Sequence, residues 1–197
     1  MLAPFLGYYS VVAYHEITSI KTEETLISKP EIKAYAIQLS ATKSLEGANN
    51  FIMENDLDLI SSQVEEVGGL YRVFYFVSLN SELANRYTKT ANERFLESYI
   101  EELTVEKKDI YLTIPKKINE GEIQQFLMDL YSFLENSTPQ NIDKNILVDL
   151  IKRDVTEIEH FESIKDKLEE LDSIEGQVTD EQFMKISNEL FRIILEL

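Results

Sequence analysis

The chain has 197 residues, with 36 acidic and 19 basic side chains for a formal net charge of −17, and it contains no Cys. That length suits one domain with a sizeable core, and a hydrophobic content of 44% is too high for a disordered acidic tail. Without Cys there is no disulfide framework, thiolate metal site or cysteine nucleophile. So negative a charge argues against unaided binding to duplex DNA or anionic lipid, where Lys and Arg supply the affinity.

The first segment, Met1 to Tyr14, is apolar but does not read as a leader. The first basic residue is Lys21, and Pro4 and Gly7 interrupt the run. It is also shorter than the ~20 residues a membrane span needs. Tyr8–Ile20 reads instead as a strand, pairing with Glu31–Ser40 in a hairpin whose connection lies around Lys21–Glu24. Pro30 stands just before the second run, a position a strand tolerates. Ser44–Val67 reads as helix, interrupted near Asp56 and ended by Gly68-Gly69. The run Leu70–Leu79 is apolar at nearly every position, the pattern of a central strand covered on both faces.

Thr90-Ala-Asn-Glu93 reads as a capping box opening a helix on Phe95, Leu96, Tyr99, Ile100 and Leu103. Asp109–Ile114 reads as the fourth strand. Asn119-Glu-Gly-Glu122 opens a helix on Ile123, Phe126, Leu127, Leu130, Tyr131 and Leu134. Turn residues around Pro139 then mark a boundary, dividing an α+β body over 1–137 from a helical hairpin over 140–197. The hairpin's first helix keeps steps of 3 and 4 residues from Ile146 to Leu171. Its second is capped by Thr179 and Gln182, after a loop of about five residues that folds the two helices antiparallel. The expected fold is therefore α+β: a small four-stranded sheet with covering helices, followed by a C-terminal antiparallel helical hairpin.

Catalytic constellations are sparse. Glu157 and His160 have the Glu-x-x-His spacing of carboxylate metal bundles, but the second pair such sites need is absent. A single-metal site would have to bring His15 to them. Glu31 and Lys33 match half of a metal-dependent nuclease pattern, and the plainer reading is two outward residues on a half-buried strand. There is no nucleophile elbow, phosphate-binding Gly-rich loop or dinucleotide fingerprint. The two Lys doublets, Lys107-Lys108 and Lys116-Lys117, flank a strand and form no single patch. Accordingly the sequence predicts no catalytic residue, no metal ligand and no cofactor.

Two features point to protein binding. Residues 140–197 carry 7 basic and 15 acidic side chains, a net of −8 in 58 residues, against −9 in the first 139. Seven of those acids cluster at Glu157, Glu159, Glu162, Asp166, Glu169, Glu170 and Asp172, where a helix would space them much as a phosphate backbone spaces its charges. Phe191, Ile194 and Leu195 widen the apolar stripe of the last helix beyond one seam, so it has a second surface to cover. That surface is first the protein's own body, then a second copy or a partner. Strand Tyr residues add candidate anchors. The seven clustered acids together with Phe191, Ile194 and Leu195 are the expected partner contacts. The reading is a non-catalytic cytoplasmic inhibitor, immunity protein or accessory subunit. Its expected partner is a larger, basic protein of nucleic-acid processing or of defence, with no membrane. The alternatives are a metal-dependent hydrolase or nuclease, and a homo-oligomeric structural protein pairing through the hairpin.

Overall fold

A computed structural model describes residues 22–57, 62–95 and 97–197, with Val67, Glu157 and His160 described by their backbone alone. The expected strand Tyr8–Ile20 lies outside the described residues. The chain runs β1 (Thr22–Lys29), β2 (Ile32–Thr42), α1 (Leu45–Glu54), β3 (Gln63–Val67), β4 (Leu70–Ser78), α2 (Ser81–Arg94), β5 (Tyr99–Val105) and β6 (Lys108–Pro115). It continues as α3 (Glu120–Asn136), α4 (Lys144–Ile151), a 3-10 turn (Asp154–Glu157), α5 (Glu159–Ser173) and α6 (Asp180–Glu196). The architecture is α+β, with a four-stranded antiparallel sheet in the order β3-β4-β2-β5 and a two-stranded sheet of β1 and β6.

The two sheets share one ladder. Lys29 pairs with Lys108 and Ile32 with Val105, and the register is the same on both sides of the break. Pro30 sits in that break, and having no N–H to donate it interrupts the ladder where the ribbon passes from one sheet to the other. Residues 22–24, expected as a connection, are thus the start of β1, and β6 lies in the smaller sheet. The long-range ladder overrides the turn-like polarity of Thr22, Glu23 and Glu24, whose partners are Pro115, Ile114 and Thr113.

The apolar run Leu70–Leu79 does form a central strand, β4, buried from Val73 onward. Its neighbour β3 replaces the second half of the expected helix. Gly68 and Gly69 have φ of 63° and 75°. Two successive left-handed residues make the primed turn that joins β3 to β4, so the glycines close a hairpin rather than a helix. α1 ends at Glu54, and Asp56 at φ 52° takes the chain away from it.

A second correction falls at Thr90. The helix there starts ten residues earlier, where the Asn80 side chain accepts the Leu83 N–H, and it ends at Arg94. Tyr99–Val105, expected as helix, is the edge strand β5 paired to β2. Tyr99, Ile100 and Leu103 fit a helical face, but Tyr99, Glu101, Leu103 and Val105 fit a strand face equally. Pairing to β2, more than 60 residues away in sequence, decides between them.

The capping boxes at Asn119/Glu122 and Thr179/Gln182 are both formed, at the starts of α3 and α6. The long helix expected from Ile146 to Leu171 is broken. The Thr156 hydroxyl donates to the carbonyls of Ile151 and Arg153, an alternative to helical bonding that β-branched Val155 beside it also favours. The apolar spacing survives the break, so Val155, Ile158 and Phe161 stay buried.

One principal core runs from Ile27 through Phe126 to Ile194, and so draws on residues from both sides of the Pro139 turn. Phe126 and Phe161 meet edge to face at 5.5 Å, and Phe76 meets Tyr87 likewise at 4.9 Å. A smaller cluster joins Phe191 to Ala34, Ala36, Phe74 and Val77.

Candidate functional site

The acidic face begins with the amphipathicity of α5. Phe161, Ile164, Leu168 and Leu171 are buried against the neighbouring helices, which turns the opposite side of the helix outward. Glu159, Glu162, Asp166 and Glu169 all stand exposed on it. At ~1.5 Å rise per residue, Glu162, Asp166 and Glu169 cover about 10 Å along one face. None of these four is engaged in an ion pair among the described residues. Like charges one turn apart destabilise a helix by roughly 0.2–0.5 kcal/mol per pair, so the face is kept at a small cost to folding.

The other expected acids are placed differently. Glu170 accepts from Lys167 at 2.9 Å, and Lys167 also reaches Glu189 of α6 at 2.5 Å. Hydrogen bonds donated to these two carboxylates hold the Lys167 ammonium above its ordinary pKa. Asp172 pairs with Lys144 at 3.3 Å, and the same ammonium donates to the Leu171 and Asp172 carbonyls at the end of α5. These pairs tie α5 to α6 and to α4. Glu157 lies in the 3-10 turn and His160 in the first turn of α5, with an extended residue, Ile158, between them. The expectation that three-residue spacing sets Glu157 and His160 on one continuous helix therefore fails.

The apolar stripe of α6 covers the protein's own sheet. Phe191 and Ile194 are buried, at 2% and 0% exposure, and Leu195 packs against the cluster of Ala34, Ala36, Phe74 and Val77. Sequence reasoning missed the polar residues that fasten α6 there. Asn188, 1% exposed, accepts the Val77 N–H at 2.9 Å and donates to the Tyr75 carbonyl at 3.0 Å. A bulge at Tyr75 turns these groups of β4 toward the side where β3 has ended. The Asn188 amide thus takes the place of a strand, satisfying backbone groups that burial would otherwise leave costly. Gln63 donates to the Asn188 carbonyl at 2.5 Å. Lys29, 2% exposed, donates to the Ile194 carbonyl at 3.0 Å in the last turn of α6. Burial and the neighbouring Lys108 charge lower its pKa. The signal for Asn188 was legible, being an amide inside an apolar stripe between Met184 and Phe191.

Elsewhere, among the described residues, the catalytic alternatives find no assembled site. Lys33 is exposed and pairs with Glu102 across the β2–β5 ladder at 2.8 Å, and that hydrogen bond raises its pKa. Glu31 is exposed beside it. Among the described residues, no group of three or more His, Cys, Asp or Glu is placed to hold a metal ion. His15 lies outside the described residues. On the sheet, Arg72 is held by Glu101 and Gln38, and Gln38 donates to the Tyr99 hydroxyl. Tyr111 and Leu26 pair across the outer face of the two-stranded sheet, at 72% and 43% exposure. Among the described residues no helix is long and apolar enough to cross a membrane.

No family model matches the chain, and no curated protein or solved structure shows significant similarity to it.

Proposed function

We propose that the protein is a non-catalytic, cytoplasmic binding component, an inhibitor, immunity protein or accessory subunit, that engages a larger basic protein through the outward face of α5. One observation carries the reading: Glu162, Asp166 and Glu169 project from a helix whose opposite side is anchored in the core, with no ion pair among the described residues. A row of carboxylates on a rigid support presents a fixed field to a cationic surface, which speeds encounter and sets orientation. In a total charge of −17 the row reinforces a long-range field of the same sign.

The test is recovery of the tagged protein from its host, with nuclease treatment, at low and at high salt. A stoichiometric basic partner is expected at low salt and lost at high salt, because exposed charge pairs are screened. The triple variant Glu162→Lys, Asp166→Lys, Glu169→Lys is expected to lose that partner while keeping the far-UV signature of the fold. Recovery of the protein alone as a monomer, or of a partner indifferent to the triple reversal, would refute the reading.

A further inference from the structure

The four-stranded sheet has two edges, and the one made by β3 lies beside a groove. β3 pairs with β4 on one side, and no strand pairs with its other side among the described residues. The turn at Gly68-Gly69 makes Val67 and Leu70 a hydrogen-bonded pair, so Glu65–Arg72 and Gln63–Phe74 are the next such pairs. By the same alternation Val64 and Glu66 direct their N–H and C=O groups away from β4. α6 runs beside this edge without adding a strand to it, and Asn188 engages β4 beyond the point where β3 begins. A groove of about 400 Å³ runs between the two elements, lined by Ser62, Val64, Glu65, Glu189 and Arg192 among others.

Two properties of the groove define its occupant. The Ser62 hydroxyl is buried at its wall and has no hydrogen-bond partner among the described residues. Acids prevail around it among the described residues even with Glu189 neutralised by Lys167: Glu65 lines it, Glu66 stands exposed on the edge, and the charge of Glu196 bears on Glu65. Among the described residues Arg192 is the one cation lining it, and Lys167 lies behind it on Glu189.

We propose that β3 accepts an extended, lysine- or arginine-bearing segment of a partner as a further strand of the sheet, seated in the groove between β3 and α6. Strand addition of this kind takes its affinity from main-chain hydrogen bonds and its selectivity from the side chains along the groove. Val64 and Glu66 supply the ladder, the Ser62 hydroxyl takes one further backbone group, and Glu65 and Glu66 select for cations. Natural sheets blunt exposed edges with short strands, charged side chains, bulges or Pro. β3 has five residues and two acids but no bulge or Pro, and the acids repel a second acidic copy while admitting a basic strand. Burial and Glu196 raise the Glu65 pKa, so a cationic segment is held more tightly once that carboxyl ionises. The proposal rests on the reading of the protein as a binder of a basic partner, but places a second contact away from α5.

The probe is a fluorescein-labelled nonapeptide of alternating Lys and Val, titrated into the full chain by anisotropy, with amide exchange followed by NMR. Bound peptide is expected to slow exchange at Val64 and Glu66 at least tenfold. Glu66→Pro, which removes an outward N–H at an edge position that tolerates Pro, is expected to weaken binding at least tenfold. Glu66→Gln, which keeps that N–H, should weaken it only severalfold. Peptide binding with unchanged exchange at Val64 and Glu66, or undiminished in a folded Glu66→Pro protein, overturns the proposal. Slow exchange at both amides without peptide also overturns it, by assigning the edge to a second copy where mass grows with concentration and to the chain's own residues where it does not. The α5 triple reversal should leave Val64 and Glu66 protection by the peptide in place. A chain that loses its partner on α5 reversal yet ignores Glu66→Pro thus fails this proposal alone, and one that binds peptide at β3 without recovering any partner fails the α5 reading alone.

Discussion

Asn188 is the residue on which the attachment of α6 to the sheet turns. Asn188→Ala removes the acceptor for the Val77 N–H and the donor for the Tyr75 carbonyl, both in a position 1% exposed. Each buried group left unsatisfied costs about 1–3 kcal/mol, and part of the small cavity is recovered by relaxation, so the expected loss is roughly 2–5 kcal/mol. With a urea dependence of about 2 kcal/mol per molar, that lowers the unfolding midpoint by about 1–2.5 M. Circular dichroism in urea, on wild type and variant under the same buffer, reads it directly. Asn188→Asp sharpens the test. Protonated, the carboxyl still donates to Tyr75 and accepts from Val77; ionised, it sets a buried charge against the Tyr75 carbonyl. Its folded pKa is therefore raised above the ordinary ~3.9, so its stabilisation is complete below that value and lost as pH rises through the folded pKa. The Asp variant should approach wild type at acid pH and fall behind toward neutrality. An Asn188→Ala loss below about 1 kcal/mol would refute the strand-replacement role.

Three further outcomes are expected. Lys29 has a folded pKa below the ordinary lysine value of 10.5, so its stabilisation is fully present above about 10.5 and lost as pH falls through the folded value; the thermal midpoint of wild type minus that of Lys29→Met should rise as pH climbs toward 10.5, and a flat difference contradicts the assignment. The Tyr131 hydroxyl is buried without a hydrogen-bond partner among the described residues, and burial pushes its pKa up to about 12. Tyr131→Phe is therefore expected to be neutral or stabilising by up to ~1 kcal/mol, and a clear fall in midpoint would reveal a partner for that hydroxyl. Gly69→Ala, at φ 75°, should cost about 1–2 kcal/mol, whereas Gly68→Asn should cost less, because Asn adopts left-handed backbone more readily; equal losses at the two sites would contradict the turn assignment.

What the sequence determined by itself is what depends on bonds and spacings a few residues long. The boxes at Asn119/Glu122 and Thr179/Gln182 close within three residues, so α3 and α6 start where the sequence says. The unbroken apolar run of β4 is the signature of a strand covered on both faces, and it needed no partner to be read. The acids at Glu162, Asp166 and Glu169 follow the period of a helix, and their outward side follows from the apolar residues between them. Residues 99–105 fit either period, and only pairing with Ile32–Gln38 selects the strand. Gly68-Gly69 could end a helix or close a hairpin until β3 has β4 to pair with. The break at Thr156 hides under an apolar spacing that persists on both sides of it. The stripe of Phe191 and Ile194 announces a buried surface without saying whose, and Ala34, Ala36 and Phe74, more than 110 residues earlier, supply it. Capping and periodicity are settled locally, whereas strand pairing and the destination of an apolar face are settled by whichever distant surface buries the most and leaves the fewest backbone groups unsatisfied.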